Sequence, residues 1–412
     1  MTRLLYSISV IIFTILIFLV SPFNNKARLW VQGRKRWRKN LNEQINPEDK
    51  KIWIHCASLG EFEQGRPIIE KIKEKTPEYK ILLTFFSPSG YEIRKNWPLA
   101  DYVCYLPADT LVNSSQFIDI VNPSMVLFIK YEFWNNYLSA LHRKKIPFYL
   151  VSGIFRPEQH FFRWYGRFFR SILKKFTYIF VQDNKSVDLL RGIGITNVSF
   201  SGDTRFDRVS QIAGEAKTLP VVERFKGSEK IFLAGSSWRP DEEIIASYVN
   251  NFPDKMKWIF APHITNKSNI ERLEKLFKVK VAKYSESFDG FDDARVLIID
   301  NIGMLSSAYK YADVAEVGGG FGKGIHNILE PACWGIPVLF GPNHTKFREA
   351  EDLIHGNGAF TFKNYDEFKK ILDKLLEDQV MYENASITVS DYIKNNTGAT
   401  EKVLAKVLEG RY

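Results

Sequence analysis

The sequence has little cysteine and no pattern to use it. Cys56, Cys104 and Cys333 are the only three. They stand far apart inside apolar runs, and that spacing forms neither a disulfide framework nor a zinc site. They read as buried free thiols in a reducing compartment. No internal repeat recurs at a fixed period, and no low-complexity tract interrupts the chain. A Walker-type phosphate loop is missing too. Gly324, not Ser or Thr, follows Lys323, and Val317 stands where the first glycine would be. Long apolar runs are absent with one exception, Leu4–Val20, seventeen residues without a charge. That is near the lower limit for a membrane-spanning helix. Ser21-Pro22-Phe23 follows it and resembles no signal-peptide cleavage site. Acids are also lacking at this end: Lys26, Arg28, Arg34, Lys35, Arg36, Arg38 and Lys39 all precede Glu43, whereas only Arg3 lies before the apolar run. The positive-inside rule then puts everything after the run in the cytoplasm. The expectation is a single-pass N-terminal anchor over residues 1–21. The rest of the chain should fold without it.

What is present suits two domains. The chain has 412 residues, 45% of them apolar, enough for two cores of ~150–200 residues each. Its net charge of +10, from 57 basic and 47 acidic residues, points to an anionic partner: phospholipid, a phosphorylated substrate or nucleic acid. From Ile52 short apolar runs alternate with longer amphipathic ones. Strands are expected at 52–56, 80–85, 102–106, 125–129, 148–152, 178–182 and 198–201, with helices between them, including 63–75, 133–144 and 187–191. The rhythm breaks over Ala213–Gly227, which reads as the linker. It resumes with strands at 230–234, 258–261, 279–282, 296–299, 312–317 and 337–340. Such βαβα alternation predicts mainly parallel sheets with helices on both faces. The fold class is therefore α/β, two Rossmann-like doubly wound domains over 22–215 and 216–412. The last helices are expected to pack back on the N-terminal domain.

Five stretches carry chemistry. Val317–His344 reads VGGGFGKGIHNILEPACWGIPVLFGPNH. Its glycines, followed by a helix-like run over His326–Trp334, resemble half of a nucleotide pocket, where helix N–H groups meet an anion. A glycine-rich turn that only lets two elements pack would look the same. Glu61 lies in Ala57-Ser58-Leu59-Gly60-Glu61, just past the first strand. It is a candidate general base, or equally an acid favoured by a helix dipole. Glu132, in Lys130-Tyr131-Glu132-Phe133-Trp134, stands past another strand and carries the same two readings. Arg205, in Gly202-Asp203-Thr204-Arg205, follows 198–201 and could hold a phosphate or a developing negative charge. The stretch 154–176 interleaves Arg156, Arg163, Arg167, Arg170, Lys174 and Lys175 with Phe155, Phe161, Phe162, Trp164, Tyr165, Phe168 and Phe169. That mixture suits a lipid surface or single-stranded nucleic acid, and equally a core helix with a solvated basic face. The apolar run at Leu4–Val20 favours lipid over nucleic acid.

Several of these stretches together resemble one family. SLGE followed by GRP, YEFWNN, SGDTRFD, APHIT, the NIGML turn, GGGFGKGIHNILEP and GPNH are similar to the 3-deoxy-D-manno-octulosonic acid (Kdo) transferases of lipopolysaccharide assembly. The resemblance runs from about Ile52 to the C-terminus and takes in the anchor. It implies a GT-B glycosyltransferase fold, two domains facing a cleft, the N-terminal one for the acceptor and the C-terminal one for the CMP-sugar. It implies a metal-independent, inverting transfer of Kdo from CMP-Kdo to a lipid A precursor at the cytoplasmic face of the inner membrane, with no cofactor. Carried over by position, Glu61 falls on the general base, and Glu132 and Arg205 on residues that stabilise the transition state. Pro262 and His263, then Ile302, Gly303 and Met304, then Asn327, Ile328, Leu329 and Glu330 fall on the CMP-contacting segments. This chain departs from the pattern in three places. Arg205 replaces the usual Lys, His263 the usual Arg, and Ile328 a Pro. Two other readings compete: a membrane-associated GT-B transferase using a UDP-sugar, and an anchored, non-catalytic polyanion-binding protein.

Overall fold

Strands buried on both faces need apolar side chains at almost every position, and the central strands here have them. Seven form one parallel sheet: β1 (Lys51–Cys56), β2 (Lys80–Phe85), β3 (Tyr102–Tyr105), β4 (Met125–Ile129), β5 (Phe148–Gly153), β6 (Tyr178–Val181) and β7 (Val198–Phe200). Their order is β3-β2-β1-β4-β5-β6-β7. Seven more form a second: β8 (Ile231–Ser237), β9 (Lys257–Pro262), β10 (Val281–Lys283), β11 (Val296–Ile298), β12 (Val314–Val317), β13 (Val338–Phe340) and β14 (Ala359–Thr361), in the order β10-β11-β9-β8-β12-β13-β14. Both are doubly wound. The direction of winding reverses between β1 and β4 in the first sheet and between β8 and β12 in the second, and ligands of such folds collect at that reversal. Thirteen of these fourteen strands are the ones the sequence predicts; β14, only three residues long, is the addition.

The computed structural model describes residues 2–286, 291 and 293–409. It divides into two compact units, Met1–Arg208 with Thr397–Tyr412, and Val209–Asn396. In the first, alternate residues of β1 feed two cores. Trp53 packs with Phe117, Phe128 and Tyr137 on one face. Ile52 and Ile54 pack with Ile68, Ile69 and Ile72 of the helix Leu59–Lys75 on the other. Val403, Leu404 and Val407 of the C-terminal helix Ala399–Val407 complete that second core. Asp207 fixes the helix by accepting from the backbone N–H of Gly398 and of Thr400, the latter at 2.6 Å. In the second unit Phe232, Trp258 and Phe368 build one core and Leu233, Ile259 and Tyr309 the other.

The N-terminal run forms helix α1 (Thr2–Val20), followed by α2 (Asn25–Gly33). Among the described residues no single helix is long and apolar enough to cross a membrane. Leu4–Val20 and Asn25–Gly33 meet the requirement only as a pair, bent by 120°. The expected N-terminal anchor is thus supported only as an apolar helix followed by a second, bent one. Seventeen helical residues rise about 26 Å, short of a hydrocarbon core of roughly 30 Å. One face of α1 is also occupied, because Tyr6 and Phe13 contact the first unit. The opposite face, with Leu4, Ile8, Ile12, Ile15 and Leu19, is exposed.

In the stretch 154–176 the phenylalanines join the core, while most of the basic residues are exposed. Phe155 and Phe161 are buried, and Phe162, Phe168 and Phe169 pack against them, while Trp164 remains 91% exposed.

Candidate active site

Each unit carries its candidate residues at the carboxyl ends of its strands. In the first unit the helix after β1 begins at Leu59, four residues sooner than periodicity predicts, so Glu61 lies in its first turn. Ser58 occupies the N-cap position without a side-chain bond to the helix, and its hydroxyl donates to Glu61 Oε2 instead. Glu61 is half-buried. Across the reversal, Glu132 follows β4. Lys130 turns the chain out of the strand at φ 66°, a left-handed conformation unusual for a residue with a side chain and typical of functional loops. Glu132 is buried, and accepts from the Trp134 indole N–H. His55 Nε2 lies 3.1 Å from the same carboxylate oxygen, and His55 Nδ1 lies 2.8 Å from Thr84 Oγ1. Thr84 Oγ1 in turn accepts from Trp53 Nε1 at 2.8 Å. His55 thus bridges Thr84 and Glu132, and the Trp134 indole nitrogen also lies 3.3 Å from its Nε2. Burial pushes the Cys56 thiol well up, and the charges of Glu61, Glu132 and Glu63 push it further. Glu132 meets β1 through His55, and Glu61 lies in the first turn of the helix that follows β1.

Arg205 is tied to the same rim. Its guanidinium pairs with Asp203, with Nε to Oδ2 at 2.9 Å. Asp203 also accepts from Gln64 Nε2 at 3.2 Å, and Thr204 Oγ1 donates to the Gln64 carbonyl at 2.6 Å. The helix that carries Glu61 is thus bonded to the turn that carries Arg205.

In the second unit the glycine-rich turn ends β12. A Cβ on Gly318 would lie 2.6 Å from Ser237 Cα, and one on Gly320 would lie 2.6 Å from Gly341 Cα. Only glycine lets the ends of β8, β12 and β13 come this close. Close packing therefore accounts for these two glycines by itself. The helix-like run after them is shorter than its pattern suggests. Only Leu329–Ala332 is helical, because Pro331 lacks an N–H and Gly335 turns the chain at φ 68°. A four-residue helix offers little dipole, so the expected helix-terminus anion site is not built that way.

Side chains gather at the rim instead. His263 follows β9 and stacks on Trp238 at 4.6 Å and on His326 at 4.5 Å. Trp238 and His326 are nearly coplanar, 4° apart, with Trp238 Nε1 donating to His326 Nε2 at 2.9 Å. That bond leaves the His326 proton on Nδ1. Burial, and then the nearby His263, hold His326 below the usual histidine range. Glu330 accepts from Asn327 Nδ2 at 3.1 Å and from Ser306 Oγ at 3.0 Å. This brings the Ile302–Met304 segment beside the Asn327–Glu330 segment. Ile302 is exposed and Gly303 adopts φ 93°. Pro262, Ile328 and Leu329 are buried, so the last two line the core with their side chains and could meet a ligand only through backbone. Sequence reasoning did not single out His55, Gln64, Asp203, Trp238, Ser306 or His326. A histidine inside the apolar strand Lys51–Cys56 was one available signal, and Asp203 and His326 lie inside SGDTRFD and GGGFGKGIHNILEP.

Comparisons with known proteins agree with this architecture. Residues 33–208 match the model of the 3-deoxy-D-manno-octulosonic-acid transferase (kdotransferase) family. A 3-deoxy-D-manno-octulosonic acid transferase of Haemophilus influenzae is 24% identical over 90% of this chain and 91% of its own length. Among solved structures, the UDP-GlcNAc 2-epimerase of Neisseria meningitidis superposes with a TM-score of 0.61 at 16% identity, covering 87% of this chain and 100% of that one. A glycosyltransferase from Rickettsia africae gives 0.55 at 12%, covering 88% and 98%. These likenesses show the fold, two Rossmann-like halves of the GT-B type. The 3-deoxy-D-manno-octulosonic acid transferase of Aquifex aeolicus is 30% identical over 79% of this chain and 86% of its own length, and with both sheets and rims in place the chain belongs to that family of glycosyltransferases.

Proposed function

We propose that this enzyme transfers Kdo from CMP-Kdo to a phosphorylated lipid A precursor with inversion at the anomeric carbon. The observation that carries the reading is the pair of carboxylates, Glu61 and Glu132, on either side of the β1/β4 reversal. An acceptor hydroxyl must lose its proton as it attacks the anomeric carbon, and Glu61 is the proposed base. The new C–O bond forms as the bond to the CMP phosphate breaks, and the phosphate leaves with the electron pair. Glu132, beside His55 and the Trp134 indole N–H, is assigned to positive charge developing on the sugar. Arg205 is assigned to the developing negative charge, with Asp203 setting its direction.

The donor nucleotide is assigned to the second unit. His263, Gly303, Met304, Asn327 and Glu330 are the proposed contacts, with Pro262, Ile302, Ile328 and Leu329 shaping the segments that present them. The Glu330 carboxylate suits ribose hydroxyls. A CMP phosphate is a stable anion when it leaves, so the reaction is proposed to run without a metal. The exposed apolar face of α1 and the basic residues after it fit the cytoplasmic surface of the inner membrane, where an amphiphilic acceptor would be found. The test is the product mass from purified full-length protein, CMP-Kdo and lipid A precursor. Addition of one or more Kdo masses is expected. Consumption of a UDP-sugar instead, or of no donor, would sink the assignment.

A further inference from the structure

The loop that carries Glu132 has no regular secondary structure between β4 and the helix Asn135–Arg143. Its shape must therefore be set from outside. The helix after it has no side-chain cap of its own, and the first N–H groups of any helix lack partners within it. Here α1 and the loop after β3 supply them. The Tyr6 hydroxyl accepts from the Asn135 N–H at 3.3 Å. Asp109, buried, accepts from the N–H groups of Asn136 at 3.0 Å and Tyr137 at 2.9 Å. Tyr6 also donates to Asp109 Oδ2 at 2.6 Å, which ties the two capping groups together.

A second path leads from α1 to the same loop. Phe13 stands seven residues after Tyr6, on the same helix face. Its ring stacks on Phe86 at 6.2 Å, and Phe86 packs on Trp134 at 4.8 Å. Trp134 is the residue whose indole N–H reaches Glu132. One path fixes the residues just after the carboxylate by hydrogen bonds, and the other presses its indole donor into place.

We propose that Tyr6 and Phe13 are positioning residues for the Glu132 carboxylate, which makes α1 a working part of the catalytic unit and not only an attachment. The inference rests on the role given to Glu132 above. It predicts that changes on this face of α1 alter turnover while leaving the donor site alone.

The test is a mutant cycle on the full-length protein in detergent, with CMP-Kdo and lipid A precursor. The variants are Tyr6→Phe, Glu132→Gln and their combination. Tyr6→Phe should lower kcat roughly two- to tenfold, the value of one ordinary hydrogen bond, with donor KM unchanged. Joined to Glu132→Gln it should cost nothing further, since no carboxylate is left to position. Equal losses in both backgrounds, or a Tyr6→Phe enzyme with wild-type kcat, would overturn the inference and leave the Glu132 assignment standing. A Glu132→Gln enzyme with wild-type kcat would remove both. Phe13→Leu run through the same cycle keeps the question decidable if Tyr6→Phe folds poorly.

Discussion

Two glutamates occupy comparable places in the two sheets and meet opposite treatment. Glu132 follows β4, the strand across the reversal from β1, and has His55 and Trp134 around its carboxylate. Glu316 lies within β12, the strand across the reversal from β8, and neither of its buried oxygens has a hydrogen-bond partner. Burial pushes its carboxyl well above the ordinary range, with Asp241 and Glu242 adding to the effect. The sheet can bury an acid at either place. Whether the acid can serve as a charge depends on donors brought by neighbouring elements. A strand interior supplies none, because its own N–H groups are spent on the ladder. A loop after a strand end can be surrounded by them.

The rims differ in the same sense. The first presents carboxyl and guanidinium groups held by side-chain hydrogen bonds, a set suited to moving a proton. The second presents stacked rings and close-packed glycines, suited to holding a flat or anionic ligand. The largest test of this contrast is Glu61→Gln, which keeps shape but cannot take a proton. Its kcat should fall by roughly 10²–10⁴ while CMP affinity stays nearly unchanged. A Gln variant with near wild-type kcat and a lowered melting temperature would make Glu61 a helix-end acid and end the catalytic claim.

Next in size is Glu330→Ala in the second unit. It should weaken donor binding by about 1–3 kcal/mol, as for a lost charged hydrogen bond, with little effect on the acceptor KM. An unchanged CMP affinity by calorimetry would take Glu330 out of the site.

Glu316→Gln probes stability alone. The folded protein keeps this proton above the ordinary carboxyl value of 4.5, where the unfolded chain has released it. The wild-type fold therefore loses stability as pH rises from that value through the raised folded one. The Gln variant should gain melting temperature relative to wild type as pH rises above the ordinary carboxyl value, and the gain should level off once the folded carboxyl ionises. A gain independent of pH would show that Glu316 does not titrate.

The smallest effect is expected from Trp238→Phe. The ring stack stays, but the N–H that fixes the His326 tautomer is lost. Donor KM should change by no more than about threefold, within the range of one neutral hydrogen bond. A loss of all CMP binding would show that Trp238 itself carries the ligand.

The sequence by itself determined the two sheets. Apolar runs of five or six residues at regular intervals, such as Met125–Ile129 and Lys80–Phe85, can be satisfied only as central parallel strands, so their existence and bounds were readable. It also placed Glu61, Glu132 and Arg205 just past strand ends, because that depends only on spacing along the chain. It misjudged the helix-like run after the glycines, where Pro331 and Gly335 outweighed the apolar pattern. It could not show that α1 also packs on the first unit, since hydropathy cannot reveal that Tyr6 meets Asp109, 103 positions away. Tertiary structure alone decided the long-range partners. Ser58 with Glu61, Glu132 with Trp134 and Asp203 with Arg205 are local pairs. His55 meets Glu132, Trp134 meets Phe86, Asp203 meets Gln64 and His326 meets Trp238 across strands and loops distant in sequence. No local period records such pairings, because a hydrogen bond depends on ångström-scale geometry that only the packed sheets and their helices fix.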